Sequence, residues 1–506
     1  MTTASAGPSD RGLAHAVAEP PAAKATRHPT GTLAATILGS SLAFIDGSVV
    51  NVGLPAIERD LGASGGSIAW LVNAYLLPLG ALVLLGGVAG DRWGRRRVFL
   101  AGMAVFTLAS LACSLAPSFA ALLAARAVQG LGAAFLMPAS LALIGAAFSG
   151  EARGRAVGTW AAAGAITGAL GPLAGGWLID AVGWRSIFVI NLPIAVAAAW
   201  LAWRYVDDSK SADATPLDWG GALLATAGLA ALTIGLTVLA DQRGAGDGAA
   251  ATEATSGASN AMLAALALAL VAGVALLIGF VILEAKLGVK AMMPLALFGT
   301  RSFVGITLLT LFLYAALGGL FVLLPYVLIE SGGYSAAAAG AALLPLPITI
   351  GLGSRAAGRL AERTGARMLL TIGPCVAAAG FALLLRVAPG PLDYASIVLP
   401  ALVVLACGLT LSVAPLTAAV MGAVDAAHVG SASGVNNATA RVAGLLATAL
   451  LGFVLAGGTD ATHFIVGFHA AALVGCGLCL LAGLSAFALV RSEAGSVVPA
   501  PKAGGH

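Results

Sequence analysis

The residues of this chain able to do chemistry are few, and one stands out by where it lies. In LAFIDGSVVNVGLP, residues 42–55, Asp46 sits inside a strongly apolar run with no Lys or Arg within a turn or two of it. Burying a carboxyl in hydrocarbon disfavours its ionised form and costs several kcal/mol. A group that is protonated when facing one side of a membrane and ionised when facing the other can carry a proton. The same carboxyl could bind a cationic substrate directly, serve both in competition, or be held neutral by hydrogen bonds between helices. Arg126, in LLAARAVQG, is the second charge inside an apolar run, near its end; it either snorkels to the interface or faces inward. Arg441 is the third, and is equally open between a structural and a functional role. Asp218, Glu284, Glu330 and Asp425 fall near the ends of apolar runs, where water is expected to reach them.

The elements that must position these groups are membrane helices. Of 506 residues, 59% are hydrophobic and only 9% charged, and the mean hydropathy is +0.98. So little charge cannot cover a soluble protein of this size. The runs are too long and continuous for barrel strands of about 10 alternating residues, and lipid leaves helices as the remaining way to pair every backbone group. Fourteen runs are expected as helices, at 32–54, 68–90, 97–115, 118–147, 156–179, 184–203, 217–240, 261–283, 302–329, 335–357, 367–388, 394–422, 431–456 and 466–490. The fold class is therefore all-α and polytopic. Residues 1–31, rich in Ala and Pro, lack the apolar core of a cleaved signal peptide.

The cations orient this array. With the N-terminus in the cytoplasm, twenty of the 26 Lys and Arg residues fall in inside segments and four (Arg59, Arg185, Arg243, Arg386) in outside loops. That excess is the positive-inside signal, and it puts both termini in the cytoplasm. The compositional bias towards Ala, Gly and Arg suggests a GC-rich bacterial genome, hence a bacterial plasma membrane.

The chain also repeats itself. In GVAGDRWGRR, residues 87–96, Gly87, Asp91, Arg92, Gly94 and Arg96 match Gly358, Glu362, Arg363, Gly365 and Arg367 of GRLAERTGAR, residues 358–367. Each decad follows an outside-to-inside helix. The two come into register when the seventh and eighth helices are set aside as an insertion. The expected organisation is a tail (1–31), a six-helix bundle (32–206), two inserted helices with linkers (207–300), a second six-helix bundle (301–490) and a tail (491–506). Paired parallel bundles around a midplane cavity are a transporter plan.

Several of these stretches carry a family resemblance. GGVAGDRWGRRR resembles the loop 2–3 signature of the major facilitator superfamily, RAVQGLGAA its helix 4 motif, and GALGPLAGG its helix 5 antiporter motif. IDGSVVNVGLP and GSASGVNNATARVAG resemble the helix 1 and helix 13 segments of its fourteen-helix drug:proton antiporters, the EmrB/QacA type. The likeness covers about residues 32–490; it departs at Gly47, where that group usually has Thr. It implies the major-facilitator fold and export of small lipophilic compounds in exchange for protons. It implies that Arg126 faces the central cavity and influences protonation of Asp46. It implies a gate built from Gly87, Asp91, Arg92, Gly94 and Arg95, latched on the cytoplasmic side, with Glu362 and Arg363 as counterparts and Glu151 and Arg155 as possible partners. Gly168, Gly171, Pro172, Gly175 and Gly176 would form a leak-resistant helix interface.

Plausible liners of the cavity are Trp70, Asn73, Tyr75, Phe135, Tyr314 and Asn436, each of which could equally pack between helices. With no second deeply placed acid in helices 9 to 14, the substrate is expected to be neutral or singly charged rather than a dication. No P-loop, nucleophile elbow or His–carboxylate cluster appears, so neither nucleotide, cofactor nor enzymatic turnover is expected. Cys476 and Cys479 form a C-x-x-C without other ligands and read as packing residues; no metal or nucleic acid is expected. A dedicated exporter of a native metabolite or lipid, and a non-transporting sensor on a transporter scaffold, are the alternatives.

Overall fold

The computed structural model describes residues 28–63, 67–210, 218–246, 256–288, 291, 293–390, 392–424, 429–455 and 461–491. Six helices come first: α1 (Pro29–Leu61), α2 (Ala69–Trp93), α3 (Arg95–Ser114), α4 (Phe119–Ala147), α5 (Gly150–Val182) and α6 (Ser186–Tyr205). A hairpin follows, α7 (Trp219–Gly246) and α8 (Ser256–Leu287). Six more complete the chain: α9 (Arg301–Glu330), α10 (Ala336–Ala342 continued by Pro345–Thr364), α11 (Ala366–Arg386), α12 (Tyr394–Gly422), α13 (Val429–Leu455) and α14 (Ala461–Leu489).

Thirteen of the described helices are long and apolar enough to cross a membrane. The other expected span is helical too, as α13, but it carries Asn436, Asn437 and Arg441. Two of its polar side chains are partnered inside the protein: Thr310 on α9 donates to Asn436 Oδ1 at 2.6 Å, and Thr448 donates to Asn73 of α2. A helix packed among others need not be apolar all round.

The repeat read from two decads runs through the whole packing scheme. α1–α5, α1–α6, α2–α4, α3–α4 and α3–α6 pack in the first bundle; α9–α13, α9–α14, α10–α12, α11–α12 and α11–α14 are their counterparts in the second. The matched loops share a conformation: Gly94 has φ 111° and Gly365 φ 84°, a region open to glycine at little cost. The bundles meet along α2–α13 and α5–α10, the same contact with the halves exchanged, and along α1–α9. α7 packs on both α2 and α13, so the hairpin rides on one seam between the bundles.

Call the end where α1 begins the terminal face and the opposite end the far face. Bonds between the bundles gather at the far face. Arg59 pairs with Glu330 at 3.0 Å and Tyr326 donates to Glu58 at 2.5 Å. Asp180, near the end of α5, accepts from the backbone N–H groups of Ala336 (3.3 Å) and Ala337 (2.9 Å), capping α10.

Glu284 departs from expectation. Water does not reach it: it is 0% exposed, and its Oε2 accepts from the Met293 N–H at 2.8 Å. The linker after α8 folds back over the carboxylate, a return that spacing along the chain does not reveal. The tails, the connection at 247–255, and Asp425 lie outside the described residues, the tails but for a few residues beside α1 and α14.

Candidate functional site

The charges on α1 and α4 meet. Asp46 and Arg126 are 0% and 1% exposed, and Arg126 Nη1 donates to Asp46 Oδ2 at 2.5 Å. Arg126 does not snorkel. Its Nη1 also donates to Gln129 Oε1 (2.8 Å), its Nε to the Leu71 carbonyl (3.3 Å), and its guanidinium lies 4.4 Å from the centre of the Tyr75 ring. Gln129, three residues on along α4, turns its Nε2 to Asp46 Oδ1 at 2.8 Å. Asn191 on α6 donates to the same oxygen at 3.4 Å and to Ser110 Oγ at 2.9 Å. Ser110, on α3, donates onward to the Phe188 carbonyl at 3.0 Å.

Every partner named for Asp46 is an N–H donor, so the site is built around the carboxylate form. An ion pair this deep gains little net stability over an apolar pair, yet losing one partner strands the other charge. The arrangement therefore couples charge state to structure: a proton arriving on Asp46 would cancel the attraction holding Arg126. Ser110 and Asn191 were not picked out from sequence. The available signal was a polar side chain in the middle of each of two apolar runs, the same test that singles out Asp46.

Beside this pair lies a cavity of about 190 Å³ between the bundles. Asn51, Tyr75 and Arg126 line it from one side; Tyr314, Phe321 and Arg441 from the other. Arg126 thus stands between Asp46 and the cavity. Of the other expected liners, Asn73 is wholly buried against Thr448, and Asn436 is bonded to Thr310. Phe135 packs against the core of the first bundle, and Trp70 lies half-buried near the start of α2.

The loop after α2 is tied down within its own bundle. Asp91 Oδ1 accepts from Arg95 at 2.7 Å. Asp208, just past α6 and not foreseen from sequence, pairs with Arg97 at 3.1 Å and accepts from the Arg96 N–H at 3.2 Å. It lies so close to Gly94 that an added Cβ there would come within 2.7 Å of its carboxylate. A Cβ at Gly87 would meet Pro138 of α4 at 3.7 Å, an ordinary contact. Arg92 and Arg363 are exposed; the side chains of Glu151 and Glu362 lie outside the described residues.

The α5 glycines face two ways. Cβ atoms added at Gly171 and Gly175 would overlap Ser48 and Val49 of α1, and Gly168 lies 4.0 Å from the Phe44 carbonyl by the same measure. A Cβ at Gly176 would overlap the Ala336 carbonyl of α10, and one at Gly340 the Pro172 carbonyl. One helix thus touches both the segment that carries Asp46 and the opposite bundle.

Comparison with known proteins agrees with this architecture. The Major Facilitator Superfamily profile matches residues 36–448. The "Multidrug resistance protein Stp" of Mycobacterium tuberculosis (strain CDC 1551 / Oshkosh) is 35% identical over 85% of this chain and 76% of its own length. The "Puromycin resistance protein pur8" of Streptomyces alboniger is 37% identical over 83% and 80%. The "Cephamycin export protein CmcT" of Amycolatopsis lactamdurans is 34% identical over 87% and 88%. Among solved structures, a bacterial homologue of the lysosomal transporter Spinster, inward-facing and unoccupied, superposes with TM-score 0.60 at 16% identity, over 92% of this chain and 97% of that one. A peptide transporter with bound alafosfalin gives 0.62 at 14%, over 90% and 93%. The chain belongs to the Major Facilitator Superfamily.

Proposed function

We propose that the chain is a proton-driven exporter of small lipophilic compounds, drugs or antibiotics among them, in a bacterial plasma membrane. The observation that carries this reading is the buried Asp46–Arg126 pair beside a cavity shared by both bundles. The relatives' names supply the cargo class, and the cation distribution supports a cytoplasmic terminal face.

In the arrangement described, the far face is clasped and Asp46 is paired. A proton reaching Asp46 neutralises the carboxylate and frees Arg126, which lies in the cavity wall. Release of Arg126 changes the wall that a bound compound touches, so protonation and substrate occupancy oppose each other through one side chain. Each proton carried inward yields about 2.3 kcal/mol per 100 mV. Asp91, Arg92 and Arg95, with Gly87, and with Gly94 allowing close approach, form the cytoplasmic latch in the alternate state, and Glu362 and Arg363 serve the second half. Gly168, Gly171, Pro172, Gly175 and Gly176 keep α5 sealed against α1 and α10. Tyr75 and Tyr314 offer aromatic faces to the compound; Trp70, Asn73, Phe135 and Asn436 shape the helices around it.

The name of the cephamycin relative favours a second reading, dedicated export of one native metabolite. Efflux of a cationic dye and a neutral antibiotic from energised vesicles, wild type against Asp46→Asn, tests both. Proton-dependent efflux by wild type, lost in the variant while binding persists, supports the proposal. Normal pumping by Asp46→Asn removes Asp46 from the mechanism. Transport confined to a single compound in a wider panel supports the second reading, and absence of any flux would leave a sensor.

A further inference from the structure

Among the described residues, the cavity between the bundles has no carboxylate in its wall. Asp46 is withdrawn behind Arg126 and matched to it charge for charge. The other charge in the wall is Arg441, half-buried on α13, where the side chain leaves the backbone close against Gly80 of α2. Among the described residues Arg441 donates no hydrogen bond and joins no ion pair. The titratable groups beside it in the same wall are Arg126 and two phenols, Tyr75 and Tyr314. Asn51, also in the wall, is 7% exposed, and its Oδ1 has no hydrogen-bond partner among the described residues.

A guanidinium without a counter-ion is costly inside a membrane protein. No carboxylate among the described residues of the wall offsets that charge, which leaves it available to a ligand. A cation would meet one uncompensated positive charge and no acceptor of opposite sign. An acid would form the charge-assisted, bidentate pair for which a guanidinium is shaped.

We infer that this cavity selects compounds bearing an anionic group, a carboxylate or similar acid on a compact aromatic or apolar body. Arg441 receives the acid. Tyr75, Tyr314 and Phe321 cover the apolar body, and Asn51 accepts from a donor elsewhere on the compound. The inference rests on the export reading and narrows its substrate class, from neutral or singly charged compounds to singly charged anions.

A matched pair of probes tests it: 2-naphthoate and 2-naphthamide, equal in shape and different in charge. Binding to the full-length protein in lipid nanodiscs is measured by calorimetry for wild type, Arg441→Lys and Arg441→Gln. Wild type is expected to prefer naphthoate by about tenfold or more. Arg441→Gln is expected to lose that preference while its affinity for naphthamide holds, which also shows that the cavity is intact. Arg441→Lys keeps part of the preference, and Tyr314→Phe leaves the ratio unchanged. Equal or tighter binding of naphthamide by wild type overturns the inference, as does a preference surviving in Arg441→Gln, or no binding of either probe. Transport separates the two readings. Proton-driven export of naphthamide or a cationic dye in preference to naphthoate sinks the anion inference alone. Failure to export any compound, antibiotics included, sinks the export reading and the inference with it.

Discussion

At the scale of single residues, the Asp46–Arg126 pair makes the sharpest demands. Replacing Arg126 with Ala strands a buried carboxylate and is expected to cost about 3–5 kcal/mol, read as a drop in thermal stability. Asp46→Asn combined with Arg126→Gln removes both charges and should cost far less. If the double variant melts as low as Arg126→Ala, the pair is not the source of the loss. Arg126→Lys is not conservative here. One ammonium cannot reach the Leu71 carbonyl, Asp46 and Gln129 together and lie on the Tyr75 ring, so efflux should fall at least about tenfold. Gly47 makes the opposite case. A Cβ there meets no described residue within 4 Å, so Gly47→Thr should leave stability within about 0.5 kcal/mol while narrowing the cavity for bulky compounds.

At the scale of elements, α5 decides how closely the halves approach. Gly176→Ala sets a methyl against a carbonyl of α10, and backbone cannot step aside as a flexible side chain can. Overpacking of this kind costs about 1–3 kcal/mol. The expected result is a lower melting temperature together with proton leak in liposomes, because the strain falls on the seam between the bundles. Gly154→Ala, where an added Cβ meets no described residue within 4 Å, is the control and should change neither. The glycine spacing in GALGPLAGG was legible in sequence as a close-packing face. Which helices it packs against was not, since glycine offers the same bare backbone to any neighbour.

At the scale of the whole molecule, the far-face clasp is expected to bias the balance between conformations. The Arg59–Glu330 pair is 68% and 39% exposed, and such pairs contribute at most about 1 kcal/mol. Glu330→Gln alone should therefore move little. Asp180 caps the start of α10 with two backbone bonds, a contact between bundles whose loss costs about 1 kcal/mol. Asp180→Ala with Glu330→Gln should shift the population of far-face-open molecules by about tenfold. Spin labels at the far ends of α5 and α10 would record this as growth of a longer distance. An unchanged distance distribution would mean that apolar packing along α1–α9 and α5–α10 holds the face shut without the clasp.

Sequence alone determined the class, the number of helices, the repeat and the central acid. Each rests on a one-dimensional quantity: run length against bilayer thickness, matched residues at matched offsets, a carboxyl where lipid forbids one. Tertiary structure alone decided the partners. Asp46 and Arg126 lie 80 residues apart, and their meeting depends on how α1 crosses α4. Ser110, Asn191 and Asp208 join their clusters through the packing of α3 and α6, and Glu284 is covered by a linker that turns back on it. The bilayer penalises unpaired charge and unpaired backbone alike, so it dictates that such partners exist. Which side chains fill the role depends on helix rotation and crossing, and these follow from the sum of many side-chain contacts along the interfaces.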